Sequence, residues 1–432
     1  MALLAAAALV LVLVVAIGAV ILPQLRGGGG AGAKSTQTAG PDASGSVVKL
    51  KNVPRPGYEK LAEAGVVDPA ALVGKPVGQP YKHAGSTVIP ACNLMTFADL
   101  EKHGLILNVN PLVPAYKRSY FDGQGKGPME DGSDLFLPMT PPNSCYMALW
   151  PEGLLEISVF QESYTKTSAL DYEFKNYVKR PSIGGVSVGE KKRGTSVVDK
   201  TMKYLTFALR LEKTVAQVQL SVKAGSQLAS QKQAVLKTIA SNLEKQTARP
   251  GGVTSISYDS PLITAKPGMA CEVLNADDFR ELFRRHSAPF VTEEIGSAVG
   301  RTDFSIDTDI RDPNEYAYVD TLCERNTGEG YRADGHRLSL QITSYMADPA
   351  PAHNMKFGGS YDGAQPLSRP VGEESYCVTK QYARSAGAVV FRKGRFLVTM
   401  TMTEPNQQPN RDPAQRCRRL SSIAERVAER LK

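Results

Sequence analysis

The fold is decided by a short phrase that occurs twice in the chain, ACNLMTFADL at residues 91–100 and ACEVLNADDF at residues 270–279. Cys92 and Cys271 hold the same place in the two phrases. A second cysteine follows each of them, Cys145 and Cys323, and the two spacings agree to one residue. Such agreement predicts a tandem duplication in which each copy carries its own pair of cysteines.

Each phrase also contains a helix start. Thr96 and Asp99 in the first copy fit the capping pattern in which a hydroxyl and a carboxylate satisfy free backbone amides. Asn275 and Asp278 supply the same chemistry in the second copy, where we expect the helix to run to about His286. The two copies therefore begin with equivalent helices.

Strand patterns follow in both copies. GLLEISVF from Gly153 and HRLSLQIT from His336 alternate apolar and polar residues, which is typical of half-buried strands. Two hairpins are predicted further on, KYLTFALR with TVAQVQLSV and GAVVFR with RFLVTMTM. Each copy closes with a helix that has an apolar stripe. The stripes are Val235, Ile239 and Leu243 in the first copy, and Leu420, Ile423, Val427 and Leu431 in the second.

This order of elements predicts an α+β fold with two tandem antiparallel sheets, each covered by helices. We place the first α+β repeat domain at residues 86–250 and the second at residues 251–432. A chain of 432 residues, of which 42% are hydrophobic, is long enough for two cores. Residues 47–85 are predicted to be an extended lead-in, with a short helix at Gly57–Ala64.

The N-terminal part has a different character. Ala2–Leu22 is an uncharged apolar run, so residues 1–24 are predicted to form a transmembrane anchor, with a cleaved secretory signal as the alternative. Residues 25–46 are rich in Gly, Ala and Ser and are predicted to be a flexible linker. We expect a single-pass protein of the cell membrane, with the folded domains on the extracytoplasmic side.

The six cysteines are predicted to form disulfide bonds. The duplication pairs Cys92 with Cys145 and Cys271 with Cys323, which leaves Cys377 for Cys417. Cys417 lies on the apolar stripe of the last helix, where it would face the sheet. Metal binding is the alternative, but the chain has no C-x2-C pair and its histidines do not cluster, so we expect no metal and no cofactor.

The spacing of the cysteines, caps and strands resembles a family of actinobacterial cell-envelope lipoproteins of unknown function. Both copies share this pattern, over roughly residues 86–432. The chain has no lipidation cysteine at the end of its apolar run, so a transmembrane anchor would stand in place of the lipid anchor. The resemblance implies a location in the cell envelope without implying an activity.

No catalytic residue is predicted. Gly185–Gly189 matches the G-x-S-x-G pattern but lacks the strand before it and the helix after it, so a loop is expected. Asp307, Asp309 and Asp312 do not fit a calcium loop and are interpreted as a solvated acidic loop. The five histidines do not coincide when the copies are superimposed. They are His83, His103, His286, His336 and His353.

The chain carries a net charge of +8, which favours an anionic partner. Basic residues gather near the last helix, and we interpret them as a solvated helix face, with contact to anionic polymer or lipid as the alternative. They are Arg411, Arg416, Arg418, Arg419, Arg426, Arg430 and Lys432. No basic block is interleaved with aromatic residues, so no nucleic acid is expected.

The function predicted from the sequence is that of a non-catalytic, membrane-tethered binding or scaffolding protein of the bacterial cell envelope. An envelope hydrolase, whose catalytic residues come together from distant positions, is the alternative. The expected partners are the membrane, through the N-terminal helix, and either an anionic wall polymer or another envelope protein.

Overall fold

The structure is a computed structural model, and it describes residues 72–76, 79–105, 107, 115–127, 143–149, 153–165, 167, 170–171, 174, 191–198, 202–223, 227–258, 269–298, 318–327, 335–345, 364–379, 387–405 and 412–431. All of these belong to one compact unit, Ser46–Lys432. The expected transmembrane segment Ala2–Leu22, the linker and the short helix at Gly57–Ala64 lie outside the described residues. Within the described ranges, no helix combines the length and the apolar character needed to cross a membrane.

Up to Tyr258, the described part of the chain contains ten strands and two α-helices, with a short 3₁₀ helix at Ala91–Leu94. Its elements are β1 (Leu72–Pro76), β2 (Lys82–His83), β3 (Ser86–Thr87), α1 (Phe97–Lys102), β4 (Tyr116–Phe121), β5 (Ser144–Leu149), β6 (Gly153–Gln161), β7 (Lys191–Val198), β8 (Met202–Leu211), β9 (Thr214–Lys223), α2 (Gln227–Ala248) and β10 (Thr254–Tyr258). These counts refer to the described part of the chain.

The second copy repeats the order of the main elements, from the capped helix through the six main sheet strands to the closing helix, and it adds one short edge strand. Its elements are α3 (Ala270–Val273), α4 (Ala276–Phe283), β11 (Phe290–Ala298), β12 (Tyr318–Asn326), β13 (Arg337–Tyr345), β14 (Ala364–Pro366), β15 (Glu374–Val378), β16 (Ala388–Lys393), β17 (Phe396–Thr403) and α5 (Pro413–Arg430). Both predicted hairpins are present, as β8 with β9 and β16 with β17.

The helix starts are formed as predicted. Thr96 and Asp99 make a capping box at α1, and Asn275 and Asp278 make one at α4. The second helix ends at Phe283, earlier than the predicted His286. It ends there because Arg284 adopts a left-handed conformation, with φ 56°, in which the helix cannot continue.

The prediction of two tandem sheets is wrong. Thirteen described strands form one antiparallel sheet, in the order β14-β15-β16-β17-β13-β12-β11-β4-β5-β6-β9-β8-β7. The two copies join because the first sheet strand of each, β4 and β11, would otherwise be an edge with unpaired backbone groups, and these two edges pair with one another. The fold is therefore mostly β, with five α-helices among the described residues.

The strand registers of the two copies correspond to one another. One continuous row of directly paired residues crosses twelve strands, and its two halves correspond position by position from the centre outwards. The row is Gly194, Phe207, Val218, Ile157, Cys145, Arg118, Glu293, Cys323, Leu340, Met400, Val389 and Cys377.

The helices pack on the side of the sheet to which this row points. Val235, Ile239 and Leu243 of α2 belong to the same buried cluster as Ile157 and Val218. The stripe of α5 belongs to a second cluster, which is built from the second copy. The predicted stripes are thus the core contacts of both closing helices, although one sheet serves both cores.

Candidate functional site: the polar face of the sheet

The described cysteines form three disulfide bonds: the two pairs that the duplication predicts and the remaining pair, Cys377 with Cys417. Cys92–Cys145 and Cys271–Cys323 each fasten the start of a copy to the second strand from the centre of the sheet. Cys377–Cys417 fastens α5 to β15. Gly194 occupies the position of Cys377 in the first copy, so this third bond has no counterpart there.

The opposite side of the sheet is polar. We use the name polar face for the half-buried side chains that surround the junction of the two copies on this side. They are Lys117, Tyr146, Glu156, Glu294, Asp320, Glu324, Gln341 and Thr343. Their period of two along each strand places them opposite the buried row, because successive side chains point to opposite faces. The backbone of six neighbouring strands holds them in fixed relative positions.

Ion pairs and hydrogen bonds connect the polar face. Lys117 Nζ lies 2.6 Å from Glu294 Oε1 across the junction of β4 and β11. Asp320 accepts hydrogen bonds from Gln341 Nε2 at 2.6 Å and from Thr343 Oγ1 at 3.1 Å. Arg337 lies 3.3 Å from Glu324, so two cations stand against four carboxylates in this region, and the polar face carries a negative charge when the carboxylates are ionised.

Burial raises the pKa of three carboxyl groups of the polar face, those of Asp320, Glu156 and Glu324. Burial raises the pKa of Asp320 from 3.8 to about 6, although its two hydrogen bonds act in the opposite direction. Burial also raises the pKa of Glu156, and the positive charge of Lys117 opposes this shift. Burial raises the pKa of Glu324 as well, and here Arg337 opposes the shift more than Lys117 does. The polar face therefore binds protons at a higher pH than exposed carboxylates do.

Aromatic rings lie at one end of the polar face. Phe121 stands opposite Phe290 at the β4–β11 junction, and its ring centroid lies 5.5 Å from those of Tyr81 and His83 and 5.0 Å from that of Tyr164. Burial lowers the pKa of His83, so this ring is neutral at pH 7. These rings form an apolar, mostly half-buried edge of the polar face.

A small cavity lies on the helix-covered side of the sheet. It is about 10 Å³ in volume and is lined by residues that include Cys92, Arg118 and Thr254. This volume holds about one water molecule. The cavity is therefore too small to bind an organic ligand.

Arg418 of the last helix is exposed, as a solvated helix face predicts, but three other arginines of this helix contact groups of the chain itself. Arg430 and Arg426 contact the carboxylate of Asp278, which is fully buried. Arg419 lies 2.7 Å from Glu404 and donates a hydrogen bond to the carbonyl of Leu282. These cations bind the second copy together internally, which reduces the positive charge available to an outside partner.

The described histidines have separate environments. His103 Nε2 lies 2.9 Å from Thr238 Oγ1, between α1 and α2, and burial lowers its pKa. The Thr238 hydroxyl thus lies beside the His103 imidazole, as a nucleophile lies beside its base. The nearby Asp99 carboxylate, however, is bonded to Thr96 and Asn242. His353 lies outside the described residues.

Two predicted loops, Gly185–Gly189 and the segment with Asp307, Asp309 and Asp312, also lie outside the described residues. The same is true of the basic residues Arg411 and Lys432. In the described part of the chain, no group of three or more His, Cys, Asp or Glu residues is arranged to hold a metal ion.

Sequence reasoning missed the polar face. A signal was present, since Asp320, Leu322 and Glu324 alternate with the buried Thr321 and Cys323. It could not show which other strands lie beside β12. No protein family model, curated protein or solved structure matches this chain.

Proposed function

We propose that this chain is a non-catalytic binding protein of the bacterial cell envelope, working outside the cytoplasm and taking a protein partner on the polar face. The observation that carries the proposal is the polar face itself, a half-buried surface fixed by the backbone of one continuous sheet. Rigid strands hold contact groups in place before binding, so little conformational entropy is lost when a partner docks.

The disulfide bonds support the extracytoplasmic location. Disulfides form and persist in oxidising compartments and are rare where glutathione and thioredoxin keep thiols reduced. All six cysteines of this chain are paired. The resemblance to envelope lipoproteins points in the same direction.

Charge favours a protein partner over an anionic polymer. Lys117 is surrounded by the carboxylates of Glu156, Glu294 and Glu324, so the polar face would repel a polyanion. Arg419, Arg426 and Arg430 of α5 are engaged by carboxylates of this chain. A partner that presents lysine or arginine among hydrogen-bonding groups would complement the surface.

The location is tested by trapping thiols in intact native cells. We expect all six cysteines to be protected from alkylation before reduction and to react after it. Free thiols at Cys92 and Cys145 in freshly lysed cells would contradict the extracytoplasmic assignment.

The binding surface is tested by cross-linking in cells, followed by mass spectrometry. The test variant is Glu156→Gln/Asp320→Asn/Glu324→Gln. The control variant is Glu244→Gln/Glu272→Gln/Glu429→Gln, which makes the same change in net charge at exposed helix positions. We expect the test variant to lose partners that the wild type and the control retain. Equal cross-linking by all three proteins would refute the role of the polar face.

A further inference from the structure

The junction of the two copies contains a local dyad. Arg118 pairs with Cys145 in the next strand of its copy, and Glu293 pairs with Cys323 in the next strand of the other copy. Arg118 and Glu293 are therefore equivalent positions. Since they also pair with one another, the axis that relates β4 to β11 passes between them.

The remaining pairs of the junction obey the same axis. The axis carries position 117 onto 292 and position 294 onto 119, so the Lys117–Glu294 pair corresponds to the Thr292–Ser119 pair. On the helix-covered side, the Tyr116–Ile295 pair likewise corresponds to the Val291–Tyr120 pair. The backbone of the junction is thus self-complementary, and a β4 strand could meet a second β4 strand with the same geometry.

The side chains on the axis forbid that alternative. Arg118 is 4% exposed and Glu293 is 1% exposed, and Arg118 Nε donates to Glu293 Oε2 at 2.7 Å. The guanidinium also donates to the carbonyl of Thr254 and lies 4.5 Å from the centre of the Tyr120 ring. Two first copies would bury Arg118 against Arg118, and two second copies would bury Glu293 against Glu293.

A second buried ion pair crosses the junction away from the axis. Arg325, which is 0% exposed, lies 2.6 Å from Asp122 and donates to the carbonyl of Leu274. The position equivalent to Arg325 is Met147, because these residues stand two places beyond the equivalent cysteines. A junction between like copies would leave Arg325 or Asp122 buried without its partner.

We propose that the β4–β11 junction is a self-complementary interface that its two buried ion pairs make selective for unlike copies, so that the partner it fits is the other copy of the same chain. The physical basis is that an unpaired buried charge costs far more than the net gain from a paired one. Buried charge pairs therefore act mainly by rejecting wrong partners. The ion pairs decide which halves associate.

The test uses the full chain with a protease site inserted between residues 258 and 269, cleaved after folding. No disulfide crosses this site, so the two halves are held together by non-covalent contacts. The cleaved protein is unfolded in denaturant with its disulfides intact, diluted to refold, and analysed by native mass spectrometry. We expect only pairs of one first half with one second half.

The decisive variant makes both sides of the junction alike. It is Arg118→Met/Glu293→Met/Asp122→Ser/Arg325→Met, in which the last two changes match the equivalent residues Ser297 and Met147. We expect this variant to form pairs of like halves in addition to unlike pairs. The control, Lys117→Met/Glu294→Met, removes an ion pair from the half-exposed side of the same junction and should form only unlike pairs. Unlike pairs alone from the symmetrised variant would overturn the proposal.

A charge exchange in the uncut chain gives an independent answer. Arg118→Glu should lower the melting temperature strongly, because it places two carboxylates on the axis. Arg118→Glu/Glu293→Arg should recover part of this loss, since the opposite charges again face one another while the contacts of Arg118 with Thr254 and Tyr120 stay lost. If the exchange melts no higher than the single variant, the two positions are not equivalent and the proposal fails.

Discussion

Arg430 Nη1 lies 2.5 Å from Asp278 Oδ2, so the last helix of the chain is fastened to the residue that caps helix α4. In the first copy the capping carboxylate of Asp99 receives the side-chain amide of Asn242 in the same way, at 3.0 Å. Each closing helix is therefore docked onto the capping box of its own copy, by a neutral group in the first copy and by cations in the second.

The Asp278–Arg430 contact predicts a difference between two matched variants. Asp278→Asn should destabilise the protein by about 1.5–3 kcal/mol, the usual range for a lost hydrogen bond to a charged group. Asp99→Asn should cost less, since its partner is uncharged. Urea unfolding with intact disulfides measures both values. Equal losses would mean that the arginines contribute nothing to the docking of α5.

The Cys377–Cys417 bond predicts a loss of stability confined to the second copy. Cys377→Ser/Cys417→Ser should lower the free energy of unfolding by about 3–4 kcal/mol, because a loop of this size no longer restricts the unfolded chain. Peptides from an unreduced digest should still show Cys92 joined to Cys145 and Cys271 joined to Cys323. A reshuffled pairing in this variant would show that the third bond directs the other two.

Gly125 predicts how closely the copies approach one another. A side chain at this position would overlap the carbonyl of Ala288, which belongs to the second copy. Gly125→Ala should therefore lower the melting temperature, since backbone atoms would have to move. Gly296→Ala is the control, because the nearest atom to its added carbon, Asp320 Cβ, lies 4.0 Å away. Equal melting temperatures for the two variants would show that the backbone around Gly125 can move away from Ala288 without loss of stability.

Asp320 predicts a dependence of stability on pH. Its pKa is about 6 in the folded protein and 3.8 ordinarily, so between these values the folded state binds a proton that the unfolded state does not. The stability contributed by this group therefore falls as pH rises from about 4 to about 6, by on the order of 3 kcal/mol. It remains low above that range.

Asp320→Asn removes this dependence. The variant should be more stable than the wild type at pH 7.5 and about equal to it at pH 4.5, as measured by denaturant unfolding at both values. Glu429→Gln, at an exposed position of α5, should change stability little at either pH. A variant that is destabilised equally at both pH values would show that the hydrogen bonds of Asp320 outweigh its burial.

Local features of this protein were predictable from the sequence alone. These features depend on residues that lie close together in the chain. The capping boxes have a fixed residue spacing, and the hairpins and helix stripes have a regular period. The disulfide pairs were also predictable, because duplication imposes the same bond on each copy. Cys417 was predicted to face the sheet since it shares a helix face with Leu420.

Tertiary structure alone decided that two sheets become one. The pairing of β4 with β11 joins residues that are far apart in the chain, and strand pairing of this kind leaves no periodic signal. Arg118 and Glu293 become equivalent only when the registers with Cys145 and Cys323 are known. The polar face depends on the same pairing, because its carboxylates come from strands of both copies. The sequence shows which faces of a strand must be buried. Which strands pair at their edges depends on the free energy of the whole folded chain.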